Sequence, residues 1–267
     1  MWGGLPLCGF VQPYVAPDCV RRPVSSKVSS YNRMTSSWHK RTKRIAEGVE
    51  RVHLLIEIDA LEVHRSFAEA SLAWAIESLD LSVAEVVADL DDEQRYSYYD
   101  HMYDECDNVN EVLPRLQWNS EFLLVYSTFE HTLNELCCVV KKRSKFALSF
   151  KDSYGSGIER AKNYLSKVAG VKTPFDKPNW QRAKLLGEIR NAIAHRNGEV
   201  DCLPNDKKSL GARLSKESYL QLKKHIPEQE DAQMILSSEF IRQSIAELRD
   251  VMVNVCNYEL YNDESNE

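Results

Sequence analysis

Apolar residues recur at steps of three and four along most of the chain from Ile45 onward, and this spacing restricts what the chain can fold into. The spacing is clearest in one segment, whose apolar members are Phe122, Val125, Tyr126, Phe129, Leu133, Leu136, Cys137 and Val140. Side chains at these steps share one face of an α-helix, because each helical residue turns by about 100°. The segment ends at Lys141-Lys142-Arg143, and basic residues suit the negative end of a helix. We therefore expect an all-α fold.

The composition agrees with a helical domain. Glycine and proline are scarce, with 10 and 9 residues in 267, which disfavours a β-sandwich or barrel. The seven cysteines form no CxxC pair, so we expect neither a disulfide framework nor a zinc site. Unpaired cysteines suit a reducing compartment, and we therefore expect a cytoplasmic location. No apolar run reaches about 18 residues, the minimum for a transmembrane helix.

Composition shifts divide the chain into four parts. Residues 1–44 are rich in proline, serine and basic residues, with Asp18 as their single acid. They either form a transit peptide, which their prolines and Gly3-Gly4 argue against, or their first 33 residues are an extension upstream of a true start at Met34, and we expect little order in residues 1–44. An acidic helical region covers 45–113, the main domain covers 114–260, and the acidic residues 261–267 form a disordered tail.

Three local patterns give finer predictions. Ser82-Val83-Ala84-Glu85 has the form of a capping box and predicts the start of a helix. Pro114 is expected to interrupt the chain. Residues 199–233 are polar with little periodicity, which predicts a loop, with a small hairpin around 219–236.

The net charge of −6 hides a separation along the chain. Residues 45–117 contain 18 acids and 4 Lys or Arg, a net of −14, whereas residues 141–190 contain 13 Lys or Arg and 4 acids, a net of +9. Local positive charge is what binding to a phosphate backbone requires. The alternative explanations are that these lysines solvate helix surfaces, or that the acidic half offsets the basic half.

The segment from Leu185 to Gly198 carries the candidate chemistry. On a helical wheel with Ile189 at zero, the residues within about 60° are Leu185, Leu186, Ala192 and Ile193, which predicts the buried face. Arg190 falls near 100° and His195 near 240°, on either side of the opposite face. Gly187, Asn191 and Ala194 lie between them.

Short side chains on that opposite face predict close packing by a second helix. A glycine inside a helix costs on the order of 1 kcal/mol relative to alanine, so Gly187 should have a packing reason. We expect a homodimer through the Gly187, Asn191 and Ala194 face, which would gather Arg190 and His195 of both chains around one cleft. The Asn191 amide could fix the His195 imidazole, since the two are i,i+4 neighbours.

The residue types suit RNA cleavage without a metal or a cofactor. Histidine titrates near neutrality and can act as general base on a ribose 2′-OH or as general acid to the leaving oxygen. The planar guanidinium of arginine can hold a phosphate and stabilise its developing charge. The spacing alone is weak evidence, because a histidine before a terminal glycine also serves as a helix-capping residue.

The surroundings of this pair strengthen the prediction. Arg190-Asn191-x-x-x-His195 resembles the Arg-polar-x-x-x-His signature of the HEPN superfamily. The resemblance covers about residues 115–260 and extends to the helix Phe122–Val140 with Phe129-Glu130 at its centre, Tyr164-Leu165, Pro174, Pro178, Trp180 and Asn197-Gly198. It implies a HEPN-type helical bundle, here with an additional N-terminal helical region, that acts as a dimeric, metal-independent endoribonuclease.

Carried over residue by residue, the resemblance makes Arg190 and His195 the catalytic pair and Asn191 the polar residue beside the arginine. Glu130 would be a supporting acid, or else a solvated glutamate on an amphipathic helix. RNA would be the substrate, and a cognate antitoxin or regulator a further partner, since relatives include toxins and antiphage effectors. Some toxin members have a Tyr at the position of Asn197, where a partner enzyme modifies them, so that control is not expected. Two alternatives remain, a non-catalytic HEPN module that binds RNA or protein, and a structural adaptor whose residues 45–113 recruit a partner.

Overall fold

The computed structural model describes residues 28–171, 175–202, 206, 208–224, 226 and 229–261, with side chains described from residue 53 to residue 257 within these ranges. The chain divides into two compact units, residues 1–45 and residues 46–267. Most of the predicted N-terminal extension, 1–27, and nearly all of the predicted tail, 262–267, lie outside the described residues. Residues 28–44, which composition assigned to the extension, are helical.

Helices make up most of the described chain, as the periodicity predicts. They are α1 (Val28–Val87), α2 (Asp92–Asp107), α3 (Leu113–Ser144), α4 (Gly157–Lys167), α5 (Pro178–Arg196), α6 (Leu210–Leu214) and α7 (Ser238–Tyr261), with a π-helical turn at Asn108–Val112 and a 3₁₀ turn at Phe150–Asp152. Three short strands, β1 (Glu199–Asp201), β2 (Leu220–Lys223) and β3 (Asp231–Leu236), form an antiparallel sheet in the order β1-β3-β2. Among the described residues, no helix combines the length and apolarity needed to cross a membrane.

The core lies where α3, α5 and α7 pack against one another. All eight apolar residues of the α3 pattern are buried, with at most 5% of their surface exposed. The ring centroids of Phe122 on α3 and Phe240 on α7 are 5.8 Å apart, and Trp180 of α5 is fully buried. The predicted apolar stripe is therefore the centre of the fold.

The junction between α1 and α2 corrects one prediction. Ser82 does not begin a helix, because α1 continues through it and its hydroxyl donates to the Leu79 carbonyl at 2.8 Å. A serine inside a helix commonly bonds back to a carbonyl one turn earlier, so the Ser-x-x-Glu pattern was not specific. The actual capping box is at Asp91, whose side chain accepts from the Gln94 amide at 2.9 Å at the start of α2.

Pro114 does not interrupt the helical path either. The π-helical turn Asn108–Val112 precedes it, and Pro114 occupies the first turn of α3. Inside a continuous helix a proline lacks the N–H that bonds to the preceding turn and its ring crowds the carbonyl there, and the wider π-helical turn directly before Pro114 accommodates both effects. The chain thus passes from α2 into α3 without leaving the helical conformation.

The segment after α5 is more ordered than its composition predicts. The hairpin near residues 219–236 is confirmed, since β2 and β3 pair antiparallel with Leu220 opposite Leu236. The prediction of a loop is wrong at β1, which pairs with β3, and at α6. A three-residue strand and a five-residue helix are too short to leave a recognisable periodicity.

Two leucines on α3 test the assignment of the core. Leu133 is fully buried and Leu124 is 41% exposed on the same helix. We expect Leu133→Ala to lower the free energy of unfolding by about 2–5 kcal/mol, because it removes buried surface and leaves a cavity. Leu124→Ala is the matched control, and it should lower the free energy of unfolding by clearly less in the same urea titration. Equal losses would contradict the packing described here.

Candidate functional site

Helix α5 holds the Arg190-Asn191-x-x-x-His195 motif in a fixed orientation. It begins at Pro178, a residue suited to the first turn, and ends at Asn197 and Gly198, both with left-handed backbone (φ 50° and 85°). The Gly198 N–H donates to the Ala192 carbonyl at 3.0 Å, and the Gln233 side chain of β3 donates to the Asn197 carbonyl at 2.9 Å. The exit of the helix is thereby tied to the sheet.

The buried face of α5 is the one that the helical wheel predicts. The residues predicted to lie on it, Leu186, Ile189, Ala192 and Ile193, are buried, and Leu185 is half-buried. On the opposite side Asn191, Ala194 and His195 are exposed, and Arg190 lies at the border between the two faces. The motif is therefore presented along the outer side of α5.

Arg190 is held by three groups within its own chain. Its Nη1 donates to Asn191 Oδ1 at 2.9 Å, and its Nη2 lies 3.5 Å from Glu130 Oε2 on α3. The guanidinium carbon lies 6.0 Å from the centroid of the Tyr126 ring, within the range of a cation–π contact. Its side chain is 32% exposed, so the guanidinium is oriented but still reaches solvent.

Glu130 lies between Arg190 and the first turn of α4. Its side chain is 24% exposed, and it neighbours Gly157, the first residue of α4. Carboxylates are favoured at helix N-termini, where unpaired N–H groups carry partial positive charge. Glu130 thus faces Arg190 on one side and the positive end of a helix on the other.

Arg190 and Asn191 line a cleft of about 310 Å³ between α3, α4 and α5. Its charged lining residues are the cations Lys184 and Arg190 and the acids Glu130, Glu159 and Glu188. Glu159 Oε1 lies 3.6 Å from Lys184 and accepts from the Trp180 indole at 3.3 Å, while Glu188 pairs with Arg213. The positive charge of residues 141–190 is therefore not concentrated in this cleft.

His195 does not line the cleft. It is exposed, and its imidazole makes no hydrogen bond with any group in the described part of the chain. It is five helical steps from Arg190, which corresponds to about 7.5 Å of rise and about 140° of rotation. Asn191, predicted as a partner of the imidazole, bonds to Arg190 instead. One chain thus brings Arg190, Asn191 and Glu130 together and leaves His195 apart.

Tyr126 is the site residue that sequence reasoning missed, and it corrects the account of Gly187. A methyl group on residue 187 would overlap the Tyr126 hydroxyl, so the glycine is required by packing within the chain rather than by a second subunit. Tyr126 and Glu130 are i,i+4 neighbours on α3, a spacing that could have placed both beside the motif helix. Burial, with a contribution from Glu130, raises the pKa of Tyr126, so its hydroxyl stays protonated at neutral pH.

Metal-ligating side chains do not cluster in the described residues. No group of three or more His, Cys, Asp and Glu side chains there is arranged to hold an ion. His131 Nε2 and Glu135 Oε1 lie 3.5 Å apart on α3, but two ligands do not complete a site.

The contact between Gly187 and Tyr126 can be tested by a double-mutant cycle. We expect Gly187→Ala to lower the free energy of unfolding by about 1–3 kcal/mol, because overpacking exceeds the gain in helix propensity. In a Tyr126→Phe background, Gly187→Ala should lower the free energy of unfolding by a smaller amount, because the overlapping hydroxyl oxygen has been removed. Additive effects of the two substitutions in urea unfolding would contradict this packing.

Comparison with known proteins finds no relative of this chain. No family model, no curated protein and no solved structure matches the chain. The function must therefore be argued from the residues of the site themselves.

Proposed function

We propose that this chain is a metal-independent endoribonuclease of the HEPN type that acts as a homodimer. One observation carries the proposal: the Arg190 guanidinium is held at the mouth of a cleft by Asn191, Glu130 and Tyr126, while the imidazole of the same motif is exposed on the same helix. A ribonuclease of this kind needs an oriented cation for the phosphate and a histidine for proton transfer.

The reaction follows from these two groups. A neutral His195 takes the proton of a ribose 2′-OH, and the 2′ oxygen attacks the adjacent phosphorus. The bond from phosphorus to the 5′ oxygen breaks, and His195, now protonated, passes the proton it took from the 2′-OH to this leaving oxygen. The products are a 2′,3′-cyclic phosphate and a 5′-OH. Arg190 stabilises the charge on the phosphate oxygens as the new bond forms.

A second subunit supplies the missing histidine. Within one chain Arg190 and His195 point to different sides of α5, so a site that contains both needs residues from two chains. Asn191 and Ala194 are exposed and short, which allows a second α5 to approach closely. A two-fold axis there would be an isologous contact, in which each chain gives the other the same residues.

Glu130 does not prevent Arg190 from binding phosphate. The 3.5 Å separation between the two is longer than an ordinary charged hydrogen bond, and arginine has five N–H donors. Donors therefore remain for a phosphate oxygen while the carboxylate keeps the guanidinium in place. In this proposal Glu130 is a positioning residue.

The biological role that fits such an enzyme is defence or stress response. An RNA-cutting chain of this type would act as a toxin or an antiphage effector, and a cognate antitoxin or regulator would hold it inactive. RNA is its substrate, and the reaction needs no metal or cofactor.

A non-catalytic HEPN module that binds RNA or a protein partner is the second candidate. The observation that favours it is the charge of the cleft, where three acids face two cations and His195 is not among the lining residues. Such a module would use α5 as an interface without cleaving.

The two candidates are separated by cleavage of a structured RNA in EDTA. We expect the wild-type protein to cut, and Arg190→Ala and His195→Ala each to lose at least about 100-fold in rate, the size expected for loss of acid–base or charge stabilisation. The readout is the cleavage rate on labelled RNA and the 2′,3′-cyclic phosphate at the cut end.

Matched controls test whether the loss of cleavage is specific to Arg190 and His195. His131→Ala removes an exposed histidine of α3, and Arg242→Ala removes an exposed arginine of α7, so both should leave the rate unchanged. A 2′-O-methyl version of the RNA should resist cleavage because the nucleophile is blocked. Binding without cleavage by the wild-type protein would exclude the nuclease and support the binding module.

Mixing inactive variants tests the sharing of the site. Arg190→Ala and His195→Ala are each inactive alone in this proposal, but their heterodimer retains one site with an intact arginine and an intact histidine. After unfolding and refolding together, the mixture should recover about a quarter of the wild-type rate, as random pairing of a two-fold dimer predicts. No recovery, although mixed dimers form, would place both residues in one chain.

A further inference from the structure

Helix α1 carries a second apolar seam on the side away from the core. Its positions alternate steps of three and four: His53, Ile56, Ala60, Val63, Phe67, Ala70, Trp74, Glu77, Leu81 and Ala84. Every one of them is exposed, and the five largest apolar side chains are between 57% and 70% exposed. We name these ten residues the α1 seam.

The opposite face of the same helix is already in use. Leu54, Ile58, Leu61 and Ala68 are buried in the core, and Leu79 of the same helix is buried outside the core cluster. A helix that is apolar on a single face needs one packing partner. A helix that is apolar on two faces is normally covered on both. Within the described residues the α1 seam has no such cover.

We propose that the α1 seam pairs with the α1 seam of a second copy of this chain, as an antiparallel two-stranded coiled coil. Apolar residues that alternate three and four over several heptads are the pattern that produces this structure. Phe and Trp side chains bury on the order of 150–250 Å² each. Two copies of the seam would therefore cover roughly 1,000 Å² or more, the lower size range of specific interfaces.

The direction follows from Glu77 and Phe67. In a parallel pair the two Glu77 carboxylates would face each other inside the seam, and two Phe67 rings would share one layer. In an antiparallel pair centred between Phe67 and Ala70, each Phe67 lies opposite Ala70 and each Glu77 opposite Ala60. The two large rings then meet smaller side chains, Phe67 with Ala70 and Trp74 with Val63, and the two Glu77 carboxylates are kept apart.

The residues beside the centre of the seam allow close approach. Ser66, Ser71, Ala73 and Ser78 flank Phe67, Ala70 and Trp74, and all four are short and uncharged. Charged flanking residues such as Glu57 and Asp80 stand only toward the ends of the seam. Asp59, at one end, is already neutralised by Arg249 of α7, at 2.5 Å.

This pairing is independent of the proposed ribonuclease site. The α1 seam and the exposed side of α5 are different surfaces, so a chain could use both at once. A chain with two such isologous contacts would form a closed tetramer or a linear assembly. The test therefore blocks the α5 contact first.

The measurement is sedimentation velocity of the full chain over a range of concentrations. Ala194→Glu, which places a charge on the exposed side of α5, should remain a dimer through the α1 seam. Adding Phe67→Glu and Trp74→Glu should yield a monomer, with self-association weakened at least 100-fold. Adding Leu148→Glu and Ile226→Glu instead, two exposed apolar residues outside the seam, should leave the dimer intact. A monomeric Ala194→Glu protein would overturn the inference and leave the ribonuclease proposal standing.

Cysteine cross-linking tests the direction. An antiparallel pair brings residue 60 of one chain next to residue 77 of the other, while the two copies of residue 60 lie about 25 Å apart. On mild oxidation, a mixture of Ala60→Cys and Glu77→Cys proteins should form a covalent dimer above the wild-type background, and neither variant alone should do so. Cross-linking by each variant alone would show a parallel pair and overturn the proposed arrangement.

Discussion

The close approach of α5 to α3 at Gly187 is the contact on which the candidate site depends. The absence of a side chain at residue 187 leaves room for the Tyr126 hydroxyl, and this brings the outer side of α5 beside the face of α3 that carries Tyr126 and Glu130. Arg190, one turn further along α5, then lies over the Tyr126 ring and within ion-pair distance of Glu130. A larger residue at 187 would separate the two helices and release the arginine.

In the proposed enzyme, the same contact explains why a single chain would be incomplete. The packing that fixes the rotation of α5 turns Arg190 toward the cleft and His195 toward solvent. In the proposed ribonuclease, the oriented arginine and the exposed histidine are two halves of an acid–base site, and a second α5 would combine them. Within the described residues the α1 seam is also uncovered, so the two proposals together imply an assembly of several copies.

The fold was largely predictable because helical periodicity is repeated over many residues. The α3 stripe and the buried face of α5 were both readable, since each contains several apolar positions in register with one helical face. The errors lie at places where only a few residues determine the local structure. Ser82 matched a capping pattern but bonds within a helix, Pro114 was accommodated by a π-helical turn, and β1 was too short to recognise.

The candidate site was predictable only in part, and for a physical reason. The motif residues could be placed on α5 from their spacing, but their partners come from α3, 60 residues earlier in the case of Arg190 and Glu130. Contacts between distant helices depend on how the helices pack, which a one-dimensional pattern does not contain. Tyr126 was missed for this reason, and Gly187 was explained by a second subunit when the first subunit was enough.

Whether two α5 helices meet decides the central claim most directly. A small diazirine amino acid placed at residue 194 of the full-length protein can be activated by light, and its cross-links can be mapped by mass spectrometry. Our account predicts a covalent dimer whose adduct lies on residues 178–196 of the second chain. Cross-links confined to the same chain, or to another surface of the partner, would contradict a site shared across α5.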